Sequence, residues 1–247
     1  MAAIDHVSKL FEADVPTGVF LALDTNILIQ ICDETNEAHA QTQDFFKKLK
    51  GTKSPRLIYF LASKLELTET FRRRFLTLYL RDRYRKGSDP VGGNGVFDAY
   101  CKAHPKLIPN ADDDDLLTDR EIKDLRKRCF QDFPSVTEGM KSWETLAGHA
   151  LRARFRKMAQ TLDSFGVRYQ NLFDPNLFSE GEGPRWQDQE ALIINYGLSS
   201  SDAAILNMAN SSSMIYGILS NDFDILEIFK AAGPVKTVRC FSFLTSN

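Results

Sequence analysis

The sequence predicts an α/β fold with a central, mostly parallel sheet and helices on both of its faces. Three apolar runs carry this prediction, Val19–Leu23, Arg56–Ala62 and Met214–Leu219, and a helix start follows each of them. Short, continuous apolar runs are typical of strands buried on both faces. Because strands that alternate with helices form parallel sheets, these runs are expected to lie side by side with the same direction.

The spacing of apolar residues predicts further elements on either side of these runs. Residues 1–16 carry apolar residues at helical spacing and are predicted to form a short amphipathic helix. A helix is also predicted over Ala38–Lys50, with Gly51 as its C-terminal cap. The remaining predictions are a strand over Val167–Phe173, a small apolar helix after Ser199 and a last strand over Val235–Phe243.

A helical insertion is predicted over residues 87–185 of one domain that spans residues 1–247. It begins with a glycine-rich loop, Gly87–Gly95, and continues with a broken helical periodicity. Asp174–Gln189 is predicted to be a loop because it is rich in proline and glycine. Trp186 in this loop could stack on a nucleobase, but a partly buried packing role is the favoured interpretation.

The composition indicates a folded protein without a membrane anchor. The 247 residues are 43% hydrophobic and carry a formal net charge of −2, so any surface for a polyanion must be a local patch. No apolar segment is long enough to cross a membrane, and the N-terminus lacks the pattern of a signal peptide. The four cysteines are far apart, which favours reduced, structural residues. These features predict a cytoplasmic protein.

Acidic residues stand where the predicted strands end. Asp24 and Asp222 directly follow apolar runs, Glu66 follows another within one helical turn, and Asp202 lies in the first turn of the helix before the last of these runs. In a parallel sheet all four carboxylates would lie at the same edge, where ligands bind. Crowded carboxylates repel one another unless a cation is present, and oxygen ligands favour Mg²⁺ or Mn²⁺.

Each acid also has a purely structural explanation as part of a helix cap. Asp24 and Asp222 are good N-cap residues, and acidic residues near a helix N-terminus are stabilised by its dipole. Ser63 with Glu66, and Ser199 with Asp202, have the spacing of a capping box. The joint placement of the four acids at strand ends is harder to explain by capping alone.

Four segments together resemble the signature of the PIN-domain nucleases. They are Leu23-Asp24-Thr25-Asn26, the acid Glu66, Ser201-Asp202-Ala203-Ala204-Ile205-Leu206 and Ser220-Asn221-Asp222-Phe223-Asp224. The resemblance covers roughly residues 18–70 and 190–245 and implies a three-layer PIN-like fold. It further implies that Asp24, Glu66, Asp202 and Asp222 bind the metal, with Asp224 as an additional or alternative ligand. Thr25, Asn26 and Ser220 would orient these acids through hydrogen bonds.

The resemblance implies a ribonuclease that hydrolyses phosphodiester bonds with Mg²⁺ or Mn²⁺. It implies that RNA is the substrate. The expected products carry a 5′-phosphate and a 3′-hydroxyl. The resemblance allows two roles, a toxin and an RNA-processing nuclease. Besides RNA, the possible partners are an antitoxin or other inhibitor protein and a second copy of the chain. The sequence departs from compact relatives such as the VapC-type toxins, because 135 residues lie between the second acid, Glu66, and the third, Asp202.

Basic residues cluster in two predicted helices. Lys64–Lys86 contains eight basic and three acidic residues, and helical spacing places Glu66, Arg73, Thr77 and Arg81 near one line. Such a row suits a phosphate backbone that ends at the acid, and a solvated basic face is the alternative. The residues predicted to bind RNA are Arg73, Arg74 and Arg81 in this helix and Arg152 and Arg156 in a later one.

Two other functions fit parts of the pattern. A phosphatase of the haloacid-dehalogenase type also begins with a strand that ends in aspartate, but it has a second aspartate where this chain has Asn26. A PIN-like module that binds RNA without cleaving it is the non-enzymatic alternative. A ribonuclease that needs no metal would use histidines as acid and base, and the four histidines are scattered singly.

Overall fold

Six parallel strands form the central sheet of the computed structural model. The structure describes residues 4–11, 15–16, 18–52, 55–87, 96–108, 115–131, 135–171, 177–178, 181–231 and 238–244. The strands are β1 (Ile4–His6), β2 (Phe20–Leu23), β3 (Arg56–Tyr59), β4 (Arg168–Tyr169), β5 (Ile215–Leu219) and β6 (Arg239–Ser242). The predicted α/β fold with a parallel sheet is confirmed.

The order of the strands is β1-β6-β5-β2-β3-β4. From β2 the chain builds outward through β3 to β4, and it then returns to build β5 and β6 on the other side of β2. The direction of winding therefore reverses between β2 and β5, which pair from Phe20 and Ile215 to Leu23 and Leu219. In open α/β sheets, ligands bind beyond the carboxyl ends of the strands at such a switch point.

Helices cover both faces of the sheet. Phe20 and Ala22 of β2 face a buried cluster that includes Leu206 of one helix and Phe229 of another. Leu21 alternates to the opposite face and is also completely buried. The helices are α1 (Thr25–Cys32), α2 (His39–Lys50), α3 (Leu61–Arg85), α4 (Val96–Ala103), α5 (Asp119–Gln131), α6 (Val136–Trp143), α7 (His149–Ser164), α8 (Trp186–Tyr196), α9 (Ser200–Asn210) and α10 (Phe223–Lys230).

The chain divides into two compact units. Met1–Leu67 and Ala159–Asn247 form the first, which contains the sheet, and Thr68–Met158 forms the second. The second unit is helical and has its own core around Leu80, Tyr100 and Leu146. A single domain with an insertion over residues 87–185 stays a prediction. None of the described helices has the length and the apolar character needed to cross a membrane.

Several predicted elements differ from the observed ones. The amphipathic helix over residues 1–16 is wrong, because Ile4–His6 is an edge strand that pairs with β6 and only a 3₁₀ turn, Val7–Phe11, follows it. The predicted loop over Asp174–Gln189 ends earlier, since α8 begins at Trp186. Of the predicted strand over Val235–Phe243, residues 235–237 lie outside the described residues, as do residues 88–95 of the glycine-rich loop. No disulfide joins the four cysteines, all of which lie among the described residues.

Candidate metal centre

The carboxylate of Asp24 lies directly beyond the carboxyl end of β2, where it caps α1. Its Oδ1 accepts a hydrogen bond from the Thr25 backbone N–H at 2.6 Å. Its Oδ2 accepts one from the Ser220 hydroxyl at 2.6 Å and one from the Asn26 side-chain amide at 2.8 Å. Asp24 is only 2% exposed. The capping explanation is thus correct, and the same contacts fix the direction of the carboxylate.

Thr25, which directly follows Asp24, connects Glu66 to the end of β2. The Thr25 hydroxyl donates to Glu66 Oε2 at 2.8 Å. The capping box expected for Ser63 and Glu66 is wrong, because α3 already begins at Leu61 and the Ser63 hydroxyl is directed toward the Leu23 carbonyl oxygen at 3.4 Å. Ser63 is completely buried, so it links α3 to the end of β2 instead. The Glu66 side chain is therefore not used as a cap.

Three further carboxylates meet on the β5 side of the switch point. Asp202, Asp222 and Asp224 each offer an oxygen, and these atoms lie within 4.8 Å of one another. Asp202 stands in the first turn of α9, where the Ser199 hydroxyl donates to its Oδ2 at 2.6 Å. Asp222 caps α10 by accepting the backbone N–H of Asp224 at 2.9 Å. The structure thus groups the predicted site acids at one sheet edge.

A network of hydroxyl and amide groups joins the ends of β2 and β5. Besides its bond to Asp24, the Ser220 hydroxyl accepts the Asp222 backbone N–H at 2.9 Å. Asn26 Oδ1 accepts the Asn221 backbone N–H at 3.2 Å. The sequence analysis missed Asn221, whose side-chain oxygen accepts the Ser242 hydroxyl at 2.8 Å and so ties the loop to β6. Its position in a polar run directly after an apolar strand was the available signal.

The electrostatics of the site disfavour negative charge in the absence of a cation. Burial raises the pKa of Asp24 to about 7, against the hydrogen bonds from Ser220 and Thr25, and the charges of Asp202 and Asp222 add to the rise. Burial also raises the pKa of Asp202, with further contributions from the charges of Asp222, Glu66 and Asp224. Asp24 and Asp202 are therefore both exposed to the negative charge of neighbouring acids.

No basic side chain among the described residues forms an ion pair with these five acids. Within the same part of the chain, Glu66 Oε1, Asp202 Oδ1 and Asp222 Oδ2 accept no hydrogen bond. Each of these acids therefore keeps one oxygen for a ligand while its other oxygen is held by the protein. This division is what a preformed binding site for a hard cation requires.

The geometry disfavours a phosphatase that uses Asp24 as its nucleophile. Attack on phosphorus requires an accessible carboxylate oxygen, but Asp24 is buried and both of its oxygens accept hydrogen bonds. The residue two positions later is an amide, Asn26, and it donates to Asp24 rather than acting as an acid.

The structure gives some of the predicted RNA-binding arginines other partners. Arg81 is 7% exposed and donates to the carbonyl oxygens of Lys106 and Asp115, so it does not lie on a solvated face. Thr77 in the same predicted row is completely buried, and Arg73 donates to the Leu117 carbonyl oxygen at 3.0 Å. The prediction of a solvent-exposed cationic row along α3 is therefore wrong at Thr77 and Arg81.

The other predicted arginines are more accessible. Arg74 is half-buried, Arg156 is exposed, and Arg152 is exposed and pairs with Glu144 at 2.7 Å. All five arginines belong to the second unit, whereas the acids belong to the first. RNA binding by these residues stays a prediction.

The chain was compared with models of protein families, with curated proteins and with solved structures, and none of the three comparisons found a match. The functional argument therefore depends on the residues of the site.

Proposed function

We propose that this protein is a PIN-like nuclease that hydrolyses RNA phosphodiester bonds with Mg²⁺ or Mn²⁺. The observation that carries the proposal is the group of five carboxylates at the switch point of a parallel sheet, without a basic partner among the described residues. Buried or crowded carboxylates of this kind are typical of sites that bind a cation. The resemblance of the sequence to the PIN-domain nucleases supports the same interpretation.

The donor set fits a hard divalent cation. All candidate ligands are carboxylate oxygens, which Mg²⁺ and Mn²⁺ prefer over the nitrogen and sulfur ligands typical of zinc. Asp24, Glu66, Asp202 and Asp222 would hold the ion, with Asp224 as an additional or alternative ligand. When bound, the ion supplies the positive charge that activates water as a nucleophile and neutralises charge on the scissile phosphate.

The chain's own residues orient the acids before a ligand arrives. Ser220 and Asn26 hold one oxygen of Asp24, and the Thr25 hydroxyl holds one oxygen of Glu66. Ser199 does the same for Asp202. Because these donors fix the side-chain rotamers, less conformational entropy is lost when the site is filled. Cleavage by this route leaves a 5′-phosphate and a 3′-hydroxyl.

The test is cleavage of total RNA by the wild type and by two acid variants, Asp24→Asn and Asp202→Asn. Each variant removes a negative charge and a candidate ligand, so we expect a loss of cleavage of at least about 100-fold in Mg²⁺ or Mn²⁺. Asp44→Asn is the matched control, because Asp44 is an exposed acid on α2 that pairs with Lys47. Sequencing the ends of the products identifies the bond that is cut.

Four results would contradict the proposal. Full activity of either acid variant would rule out the site assignment. Activity in EDTA would rule out the dependence on a metal. RNA binding without cleavage by the wild type in both metals would favour the non-catalytic module. A covalent phosphate on Asp24 would instead establish the phosphatase alternative.

A further inference from the structure

An apolar groove lies beside the acids in the first unit. It is a cavity of about 400 Å³, within the size range of small-molecule pockets. Its walls come from the start of α3, the start of α8 and one side of α9. The residues that define this apolar groove are Phe60, Leu61, Ala62, Leu65, Pro184, Arg185, Trp186, Gln189, Ala204, Asn207 and Met208.

Large apolar side chains of the groove are open to solvent. Trp186 is 66% exposed, Leu65 is 62% exposed and Leu61 is 43% exposed. The packing role favoured for Trp186 from the sequence is therefore wrong, because α8 begins at this residue and leaves most of the indole uncovered. A contiguous apolar surface of this kind marks a site for a binding partner.

The rim of the groove carries a cation beside the indole. Arg185 directly precedes Trp186, and no carboxylate among the described residues pairs with its guanidinium. The buried Asn207 donates to the Arg185 carbonyl oxygen at 2.8 Å and so fixes the backbone at this point. A groove lined by both an indole and a guanidinium suits a ligand with a flat ring and an anionic group, which is the chemistry of a nucleotide.

The groove and the acids share two helices. Leu65 of the groove immediately precedes Glu66 on α3, so their Cα atoms are about 3.8 Å apart. On α9, Ala204 of the groove lies two residues after Asp202. A second exposed aromatic residue, Phe223, stands between Asp222 and Asp224 and is 70% exposed. The acids and the exposed aromatic residues are thus carried by the same or adjoining elements of the first unit.

We propose that the apolar groove is a base-binding site, in which Trp186 holds an unpaired nucleobase of the RNA whose phosphate lies at the acids. The proposal rests on the nuclease function above and adds a contact to the base at residues other than the acids. Bases inside a duplex are stacked on one another and cannot enter a groove, whereas unpaired bases stack on aromatic side chains. The groove thus selects unpaired segments, and Arg185 contacts the adjoining phosphate.

The test measures binding of a short, labelled single-stranded RNA in EDTA, where cleavage does not consume the probe. Trp186→Ala is expected to weaken binding about 10-fold or more. Leu65→Ala, a second exposed groove position, should weaken it to a smaller extent. Tyr196→Ala is the matched control, because Tyr196 is an exposed aromatic residue on the same helix outside the groove. Its affinity should equal that of the wild type.

An abasic strand of equal length and charge separates base binding from backbone binding. The abasic strand should bind the wild type as weakly as the intact strand binds Trp186→Ala. An RNA duplex should compete poorly with the labelled strand for the wild type. Equal affinities of Trp186→Ala and the wild type, or of the abasic and intact strands, would overturn the proposal and favour an apolar protein segment as the occupant.

A parallel cleavage assay in Mg²⁺ keeps the two proposals distinct. Base-dependent binding without cleavage would support the groove assignment and overturn the nuclease. Cleavage by a wild type whose binding does not depend on Trp186 would overturn the groove assignment alone.

Discussion

The Ser220 hydroxyl contacts two of the candidate ligands at once. It donates to Asp24 Oδ2 and accepts the backbone N–H of Asp222, and it is completely buried. A hydroxyl is suited to this place because it is donor and acceptor together. It therefore sets the distance between the end of β2 and the end of β5.

Ser220→Ala removes this link, and we expect it to weaken metal binding about 10- to 100-fold. The buried groups left without a partner should also lower the free energy of unfolding by about 1–3 kcal/mol. Calorimetric titration with Mn²⁺ and denaturant unfolding measure the two effects. Ser220→Thr, which keeps the hydroxyl, should retain most of the metal affinity. Metal binding by the alanine variant at wild-type strength would show that the hydroxyl has no part in the site.

At the residue scale, the sequence predicted the acids well and their neighbours less well. An abrupt change from apolar to polar residues marks the end of a buried strand, so Asp24 and Ser220 could be placed without a structure. Ser63 could not, because its hydroxyl contacts the Leu23 carbonyl oxygen, 40 positions earlier in the chain. Local spacing predicts local caps and does not report such tertiary contacts.

At the scale of elements, β5 ends directly before Ser220 and is held on both sides, by β2 and by β6. Gly217 lies near its centre, opposite Leu21 of β2 and Arg239 of β6. A Cβ at this position would meet the ring of Phe241 at 2.6 Å and the Arg239 carbonyl oxygen at 3.0 Å. Phe241 is completely buried, so its ring has no free space to move into.

Gly217→Ala should therefore destabilise the protein by about 1–3 kcal/mol through overpacking. Denaturant unfolding of the variant measures the change. Gly51→Ala is the matched control, because Gly51 has φ of −80° and its added Cβ would make only an ordinary contact of 3.4 Å. The control should be unchanged or more stable by up to about 1 kcal/mol. Equal stability of the two variants would show that β5 and β6 can separate without cost.

The central strands were predictable because β2, β3 and β5 are continuous apolar runs. Of the edge strands, β4 lies within the predicted strand over Val167–Phe173, although it has only two residues. β1 was not predicted, since its three residues are too few to show a period. The prediction of a cationic row along α3 was wrong for a different reason. Helical spacing shows which residues share a face, but it does not show that backbone groups of Lys106, Asp115 and Leu117 bond to Arg81 and Thr77.

At the scale of the whole molecule, a bound cation should stabilise the folded state, because the unfolded chain does not bring the acids together. A metal concentration of 100 times Kd adds about 2.7 kcal/mol, which corresponds to a rise in Tm of roughly 5–10 °C for a chain of this length. Thermal unfolding with Mg²⁺ or Mn²⁺ measures this rise.

Two controls distinguish binding from general screening of charge. KCl at the same ionic strength should give a much smaller shift, since it screens the acids without coordination. Asp202→Asn should lose the metal-dependent rise, and Asp44→Asn should keep it. Equal shifts in Asp202→Asn and the wild type would place the cation elsewhere.

The order of the strands also determines when the site can exist during protein synthesis. Asp24 emerges from the ribosome early, but its partner Ser220 follows 196 residues later, and β1 must wait for β6. Until Asp222 has been made, the carboxylates cannot assemble, and the exposed edge of β2 lacks its neighbour. We therefore expect the proposed cleavage of RNA to begin only after the segment that carries Asp222 has been made.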